Sequence, residues 1–314
     1  MKILRLADYV HSRGLKIGLY SSPGPTTCGH CVGSWQHEQL DAQSYAQWGF
    51  DYLKYDWCSY RAEAPGLEGQ KKPYQVMRAA LDKAPRDIVF SLCQYGRANV
   101  WEWGAEPDIR GNSWRTTGDI SDNWRSMSTI GFDPGPRGAD LDLSPYAAPG
   151  HWNDPDMLVI GRLGWGGSLH ESNLTPAEQY THITLWTLYP SPMLLGCDLP
   201  SADDFTIGLL SNDEVLAIHQ DALGKGAKAV YRSPDGALRQ VWARPLKDGS
   251  RAVGLFNLDE VPVKVTAKWL DIGVTGKQVV RDVWRQKDIG TFADEFTGEV
   301  PRHGCLLLKI TETN

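Results

Sequence analysis

An α/β architecture of the (β/α)8 TIM-barrel type, present as six βα units and followed by an antiparallel β-sandwich, is predicted by three features of this sequence. Short apolar strands alternate with helical patterns, about 20 to 40 residues apart, as far as Gly224, which is the mark of parallel βαβ units with right-handed crossovers. Carboxylates recur just beyond those strands, where a βα protein keeps its ligand crevice. From Lys225 the texture changes to short β segments separated by turn dipeptides. The expected division is therefore 1–224, a partial barrel, and 225–314, a sandwich, with the boundary near Gly224 to Gly226. The common closed barrel has eight strands, so six imply that two βα units are absent from the N-terminal side. A six-stranded open sheet is the alternative, with edges to cover.

Taken in order, Lys2 to Gly14 reads as a helix, with Ile3, Leu6, Ala7 and Val10 at helical spacing and Gly14 as its stop. Leu15 to Ser21 is a strand, and the loop after it carries Cys28 and Cys31. His37 to Trp48 is a helix with Leu40, Ser44 and Trp48 on one stripe, ended by Gly49. Phe50 to Cys58 is the second strand. Tyr52, Leu53 and Tyr55 suit a buried pleat, and Lys54, Asp56 and Cys58 form one alternating set. Pro73 opens a helix to Ala84 in the first-turn position that proline favours. Asp87 to Gln94 and Asn112 to Thr117 are the third and fourth strands, and His151 to Leu158 the fifth. Asp122 to Ile130 is helical and leads into a Pro/Gly-rich loop. Glu178 to Leu188 is a helix, Pro192 to Gly196 the sixth strand, and Ala202 to Gln220 mostly helix.

In the second part, Ala229 to Arg232, Arg239 to Ala243, Arg251 to Asn257, Val261 to Ala267, Gln278 to Val283 and Leu306 to Thr311 read as strands. Asp235-Gly236, Asp248-Gly249 and Thr297-Gly298 read as turns between them.

With 314 residues and 41% hydrophobic content the chain can bury a large core. A net charge of −6 with no basic stripe argues against a nucleic-acid or anionic-membrane partner. No run reaches the roughly 20 apolar residues of a membrane helix, and the first residues do not read as a signal peptide. Thirteen Trp and twelve Tyr exceed what such a core needs, and flat aromatic faces suit sugar rings as well as packing.

Asp56 ends the second strand and Asp119 follows the fourth, so both carboxylates are expected to face one crevice. Such a pair performs glycoside cleavage, one group ionised as nucleophile and the other protonated as acid. Lys54 and Arg115 offer donors to sugar hydroxyls or to these carboxylates, although a loop Asp paired with its neighbouring Lys is also compatible with Lys54 and Asp56. Asp154 and Asp156 end the fifth strand. Their spacing does not match a hard-cation loop, so no metal or other cofactor is expected.

Lys16-Ile17-Gly18-Leu19-Tyr20-Ser21, Leu53 to Cys58, Ser113 to Ile120 and Gly150 to Leu158 resemble, in order, the melibiase-type α-galactosidases of glycoside hydrolase family 27. The resemblance implies a (β/α)8 barrel with a C-terminal β domain, and a retaining double displacement on terminal α-linked galactose of galactosides or galacto-oligosaccharides. By the same resemblance Asp56 is the nucleophile and Asp119 the acid/base. Tyr20, Lys54 and Arg115 hold sugar hydroxyls or orient the nucleophile, and Asp156 and Met157 form pocket wall. Cys93-Gln94-Tyr95-Gly96 falls at the loop that reads the sugar 2-position, where many relatives have Glu in place of Gln94 and where a long side chain disfavours an N-acetyl group.

The family's first two βα units supply a stacking Trp and adjacent Asp residues for the 4- and 6-hydroxyls, and these are not found in this chain. Weak or absent activity and poor solubility of this chain taken alone are therefore expected, since a buried hydroxyl without its partner costs about 1 to 3 kcal/mol. The resemblance also implies a bridge between Cys28 and Cys58, which points to a secreted or periplasmic setting. Cys93 lacks the partner some relatives carry, Ser113 standing there; Cys197 and Cys305 read as buried thiols, and Cys28-Gly29-His30-Cys31 fits half a zinc or redox motif. His11, His37 and His182 read as surface or core histidines, and Asn173-Leu174-Thr175 fits a glycosylation sequon. Trp101 and Trp103 are either a sugar platform or a roof over the sheet. Glu102 and Glu106 are the other candidates for the role given to Asp119. Beside α-galactosidase stand two further readings: the same chemistry on β-L-arabinopyranose or N-acetylgalactosamine, and a catalytically silent carbohydrate-binding protein.

Overall fold

The structure is a computed structural model and describes residues 2–133, 141–164 and 167–313. The chain folds as two compact units, Met1–Gly118 with Gly150–Asp154, and Asp119–Pro149 with Pro155–Asn314. The boundary expected at 224/225 falls inside the second.

In the first unit, α1 (Lys2–Ser12), β1 (Gly18–Ser21), α2 (Glu38–Gln47), β2 (Tyr52–Asp56), α3 (Gly66–Leu81), β3 (Val89–Cys93), α4 (Val100–Trp103), β4 (Ser113–Arg115) and β5 (Trp152–Asp154) build a parallel sheet. Its strand order, β1-β2-β3-β4-β5, follows the sequence, as in a TIM-barrel-like α/β domain. Alternation puts Leu53 and Tyr55 of β2 with Phe90 of β3 on the face that α3 covers, where Tyr55 and Tyr74 meet edge to face with centroids 6.1 Å apart. The register pairs Tyr20 with Lys54, Asp56 with Cys93 and Arg115 with Asp154, so these polar residues gather toward the carboxyl ends of the strands.

The second unit holds α5 (Trp124–Phe132), a hairpin of β6 (Arg162–Leu163) and β7 (His170–Glu171), α6 (Pro176–Leu188), α7 (Asp204–Leu210) and α8 (Asp213–His219). The remaining elements are β8 (Lys228–Arg232), β9 (Arg239–Pro245), β10 (Arg251–Asn257), β11 (Val263–Lys268), α9 (Trp269–Ile272), β12 (Gln278–Asp282), β13 (Lys287–Phe292), β14 (Glu295–Val300) and β15 (Cys305–Glu312). They form a six-stranded sheet, β13-β12-β15-β10-β9-β8, and a β11-β14 pair, antiparallel throughout. Val253, Leu255, Val265, Phe296 and Leu308 pack between the two sheets. On the other side Trp242, Phe256 and Leu307 join Phe132 of α5 and Trp186 and Leu188 of α6 in a second cluster. Side chains cap the N-termini of α5 to α8: Asn123, Asp203 and Asn212 accept from first-turn amides, and Thr175 makes a reciprocal capping box with Glu178.

The differences from expectation have local causes. The proposed sixth strand, Pro192 to Gly196, is reduced to a parallel bridge between Leu158 and Leu195, and the fifth stops at Asp154 because Pro155 cannot donate to a ladder. α3 begins at Gly66, so Pro73 is interior and removes the bond to the Gly69 carbonyl instead of opening the helix. α2 buries Ala42, Tyr45 and Ala46, and Leu40 of the expected stripe is exposed. On α1 Ala7 is buried, whereas Ile3 and Leu6 are exposed. Four described strands lie outside the sequence expectation, the short β6 and β7 of the hairpin and β13 and β14 of the antiparallel part. β13 is largely exposed, so no apolar pattern marks it, and Thr297-Gly298 is no turn but the middle of β14. A Cβ on Gly298 would lie 2.4 Å from Leu306, which explains the glycine by close packing. The Pro/Gly-rich loop after α5 lies in part outside the described residues. No described helix is long and apolar enough to cross a membrane.

Candidate active site

The carboxyl end of β2 carries the candidate nucleophile. Asp56 is 6% exposed, and each of its oxygens accepts a hydrogen bond from a phenol: Tyr20 donates to Oδ2 at 2.9 Å and Tyr95 to Oδ1 at 2.6 Å. Tyr20 arrives from β1, the neighbouring strand. Tyr95 arrives from the loop after β3, 39 residues along the chain. Burial first, and then the hydrogen bond and charge of Asp56, raise the Tyr20 hydroxyl well above the ordinary phenol range, so it remains a neutral donor.

A disulfide joins Cys28, in the loop after β1, to Cys58, two residues beyond Asp56, with Cα atoms 5.1 Å apart. Both sulfurs and an Asp56 oxygen lie within 4.8 Å of one another, and the Tyr20 hydroxyl is 3.2 Å from Cys58 Sγ. Because the two cysteines are bonded to each other, this group has no thiolate for a metal, and the Cys28/Cys31 half-site is likewise lost. The loop is sewn down further by Ser22 Oγ, which donates to the Cys58 carbonyl at 2.6 Å.

Around this core stand the other residues expected in the first unit. Lys54 places its ammonium 5.8 Å from the Tyr20 ring centroid. Arg115, buried at the end of β4, donates to the Thr117 carbonyl at 3.3 Å and reaches Cys93 Sγ at 3.7 Å. Burial pushes the Cys93 thiol far up, although Arg115 and Lys54 pull it down, so the thiol stays protonated. Gln94 is fully buried and donates to the Arg97 carbonyl at 2.7 Å, which closes the loop after β3 on itself. Trp101 and Trp103 are both buried and roof the sheet; they offer no open platform. Glu106 accepts from Lys71 with both oxygens at 2.8 Å, and Glu102 from Asn99.

In the second unit Asp119 is exposed, four residues beyond β4, and the amide of the next residue, Ile120, donates to Asp156 Oδ2 at 2.9 Å. Asp156 is 6% exposed and has a left-handed backbone, φ +93°, held by Trp186 Nε1 donating to its carbonyl at 2.7 Å. Met157 is half-buried against the apolar cluster. His182 is a core histidine: its Nε2 accepts from the Val159 amide at 3.1 Å, and burial pushes its pKa down to about 3. Cys197 and Cys305, expected buried, are only partly so.

Tyr20 is among the residues expected at the site from sequence; Tyr95 is not. Its signal was an aromatic in Tyr95-Gly96 immediately past a strand end, but the contact depends on a left-handed backbone at both residues, φ +63° and +74°.

Comparison with known proteins gives this arrangement a lineage. Residues 1–221 match the alpha galactosidase A family, Melibiase_2, and residues 237–310 match the alpha galactosidase C-terminal beta sandwich domain. Alpha-galactosidase 2 of Arabidopsis thaliana is 41% identical over 312 residues, covering 98% of this chain and 72% of that one. The crystal structure of α-galactosidase I from Mortierella vinacea superposes with a TM-score of 0.86 at 33% identity, over 99% of this chain and 80% of that one. A β-L-arabinopyranosidase from Geobacillus stearothermophilus gives 0.85 at 28% identity, over 99% and 77%. A parallel α/β sheet followed in the chain by an antiparallel β domain, a buried strand-end aspartate and these matches across both parts make this chain a member of the melibiase, or α-galactosidase A, family of glycosidases.

Proposed function

We propose that the chain is a retaining α-galactosidase in which Asp56 is the nucleophile and Asp119 the acid/base. The observation that supports this most is the clamp on Asp56. A carboxylate held at both oxygens by phenol donors is fixed in direction toward the oxocarbenium-like carbon that develops opposite it. In the first step an Asp56 oxygen bonds to the anomeric carbon as the glycosidic bond breaks, and Asp119 gives its proton to the leaving oxygen. In the second, water attacks that carbon, Asp119 takes the water's proton, and the electron pair of the ester bond returns to Asp56. Lys54, Gln94, Arg115, Asp156 and Met157 line or orient the galactose site in this reading, with 1–224 as the catalytic domain and 225–314 as the sandwich. The Cys28–Cys58 bond fits an oxidising, extracytoplasmic compartment.

The Geobacillus relative favours β-L-arabinopyranose as a second substrate reading, at lower identity than the α-galactosidase relatives. The test is to follow hydrolysis of an aryl α-galactoside and of an aryl β-L-arabinopyranoside by proton NMR. The α-galactoside should be the better substrate and α-galactose the first anomer released. Initial release of the β anomer would mean inversion and would remove Asp56 from the nucleophile role.

A further inference from the structure

We infer that Tyr95 is a positioning residue for the second half of the reaction, holding Asp56 Oδ1 so that Asp56 can depart from the anomeric carbon as a carboxylate. This deepens the proposed function and rests on Asp56 being the nucleophile.

Four features of the loop after β3 converge on this single phenol. First, its Oη donates to Asp56 at 2.6 Å, shorter than the Tyr20 bond at 2.9 Å. Second, the backbone is left-handed at Tyr95, a conformation that costs a side-chain-bearing residue about 1 to 2 kcal/mol and directs the ring back toward β2. Third, that turn is locked from behind. The Gly96 amide donates to the Arg115 carbonyl at 3.0 Å, and a Cβ on Gly96 would lie 2.1 Å from the Thr116 carbonyl, so the loop docks on the end of β4 only with glycine there. Fourth, the guanidinium carbons of Arg97 and Arg115 lie 5.6 and 5.8 Å from the Tyr95 ring centroid. Two cations near the ring draw electron density from it and strengthen the O–H as a donor.

The two half-reactions use such a donor differently. In glycosylation the carboxylate loses charge as its bond to carbon forms, so a hydrogen bond to the charged form favours the ground state over the transition state. In deglycosylation the carbon–oxygen bond to Asp56 breaks and the electron pair returns to the carboxylate, so the same bond strengthens as the transition state is reached. Tyr95 should therefore matter most where release from Asp56 limits the rate.

The test is Tyr95→Phe, which keeps the ring and both guanidinium contacts, compared with wild type on a dinitrophenyl α-galactoside, whose leaving group makes deglycosylation limiting. The expected result is a kcat lowered about 10- to 100-fold with a parallel fall in KM, a kcat/KM changed less than kcat, and a pre-steady-state burst of phenol equal to the enzyme concentration. A kcat within about twofold of wild type, or a loss of kcat/KM as large as that of kcat with no burst, would overturn the inference. Failure of the underlying reading is distinguished in wild type: if no glycosyl-enzyme forms on Asp56, the nucleophile assignment fails whatever the variant does.

Discussion

Strand β2 is flanked by two aspartates, the half-buried Asp51 before it and the buried Asp56 at its end, and the two are compensated in opposite ways. Asp51, just before the strand, accepts from the Ile17 amide at 3.0 Å, lies 2.8 Å from His11 Nε2, and pairs with Arg86 at 2.6 Å and Lys16 at 3.8 Å. Asp56, at the far end, is held by two neutral phenols. Burial alone would raise the Asp51 pKa, but the Ile17 amide, His11 and Arg86 outweigh it and hold the group well below the usual carboxylate range. A cation-paired carboxylate is satisfied by its surroundings and has little left to offer a substrate. A carboxylate oriented by neutral donors is, in the proposed reaction, directed at a cationic transition state. In the proposed reading the contrast, in residues five apart, separates a folding role from a chemical one.

Substitution at each end should break this comparison cleanly. Asp56→Asn should lower kcat on an aryl α-galactoside about 10⁴-fold or more while leaving the thermal unfolding midpoint nearly unchanged. The disulfide belongs to the Asp56 end. Replacing Cys28 and Cys58 together by Ser reopens a loop with a sequence separation of 30, which should cost about 3 to 4 kcal/mol in urea unfolding and reduce activity as the Tyr20–Asp56 geometry loosens. Asp51→Asn should do the reverse of Asp56→Asn, costing about 2 kcal/mol of stability with kcat per folded molecule retained.

The pH dependence of stability sharpens the comparison, because its groups act below neutrality. His182 has a folded pKa lowered to about 3 by burial, so the unfolded chain binds its proton first. Its contribution is present above about pH 6.5, the ordinary histidine value, and is lost as pH falls toward 3, by up to about 1.4 kcal/mol per pH unit. The Asp51 contribution is present above the ordinary carboxylate value, about 4, and is lost only below it. Urea unfolding across this range should therefore steepen in two stages. His182→Gln should flatten the upper stage and Asp51→Asn the lower; a variant that left its own stage unchanged would remove that group from the account.

The strands that position the site were legible because their residues report both faces at once. In Leu53-Lys54-Tyr55-Asp56 the buried and polar sets alternate, and the structure keeps that phase. The Cys28–Cys58 bond came from the resemblance, not from spacing. What sequence did not show depends on backbone detail or on polar strands. Tyr95 reaches Asp56 through two successive left-handed residues, which no apolar period reports. Leu40 sits at a helical spacing that suggests burial, yet the helix turns the small Ala42 and Ala46 inward beside Tyr45. β13 is mostly exposed and has no hydrophobic signal, and Gly298 reads as a turn residue although packing against Leu306 is what requires it.

The central claim, that Asp56 becomes covalently glycosylated, is tested most directly by peptide mass spectrometry after inactivation with an activated fluorinated galactosyl fluoride. One equivalent of fluorogalactose should be found on the peptide containing Asp56, and Asp56→Asn should take up none. A label on a different carboxylate, or hydrolysis of substrate by wild type with no label on Asp56, would contradict the account.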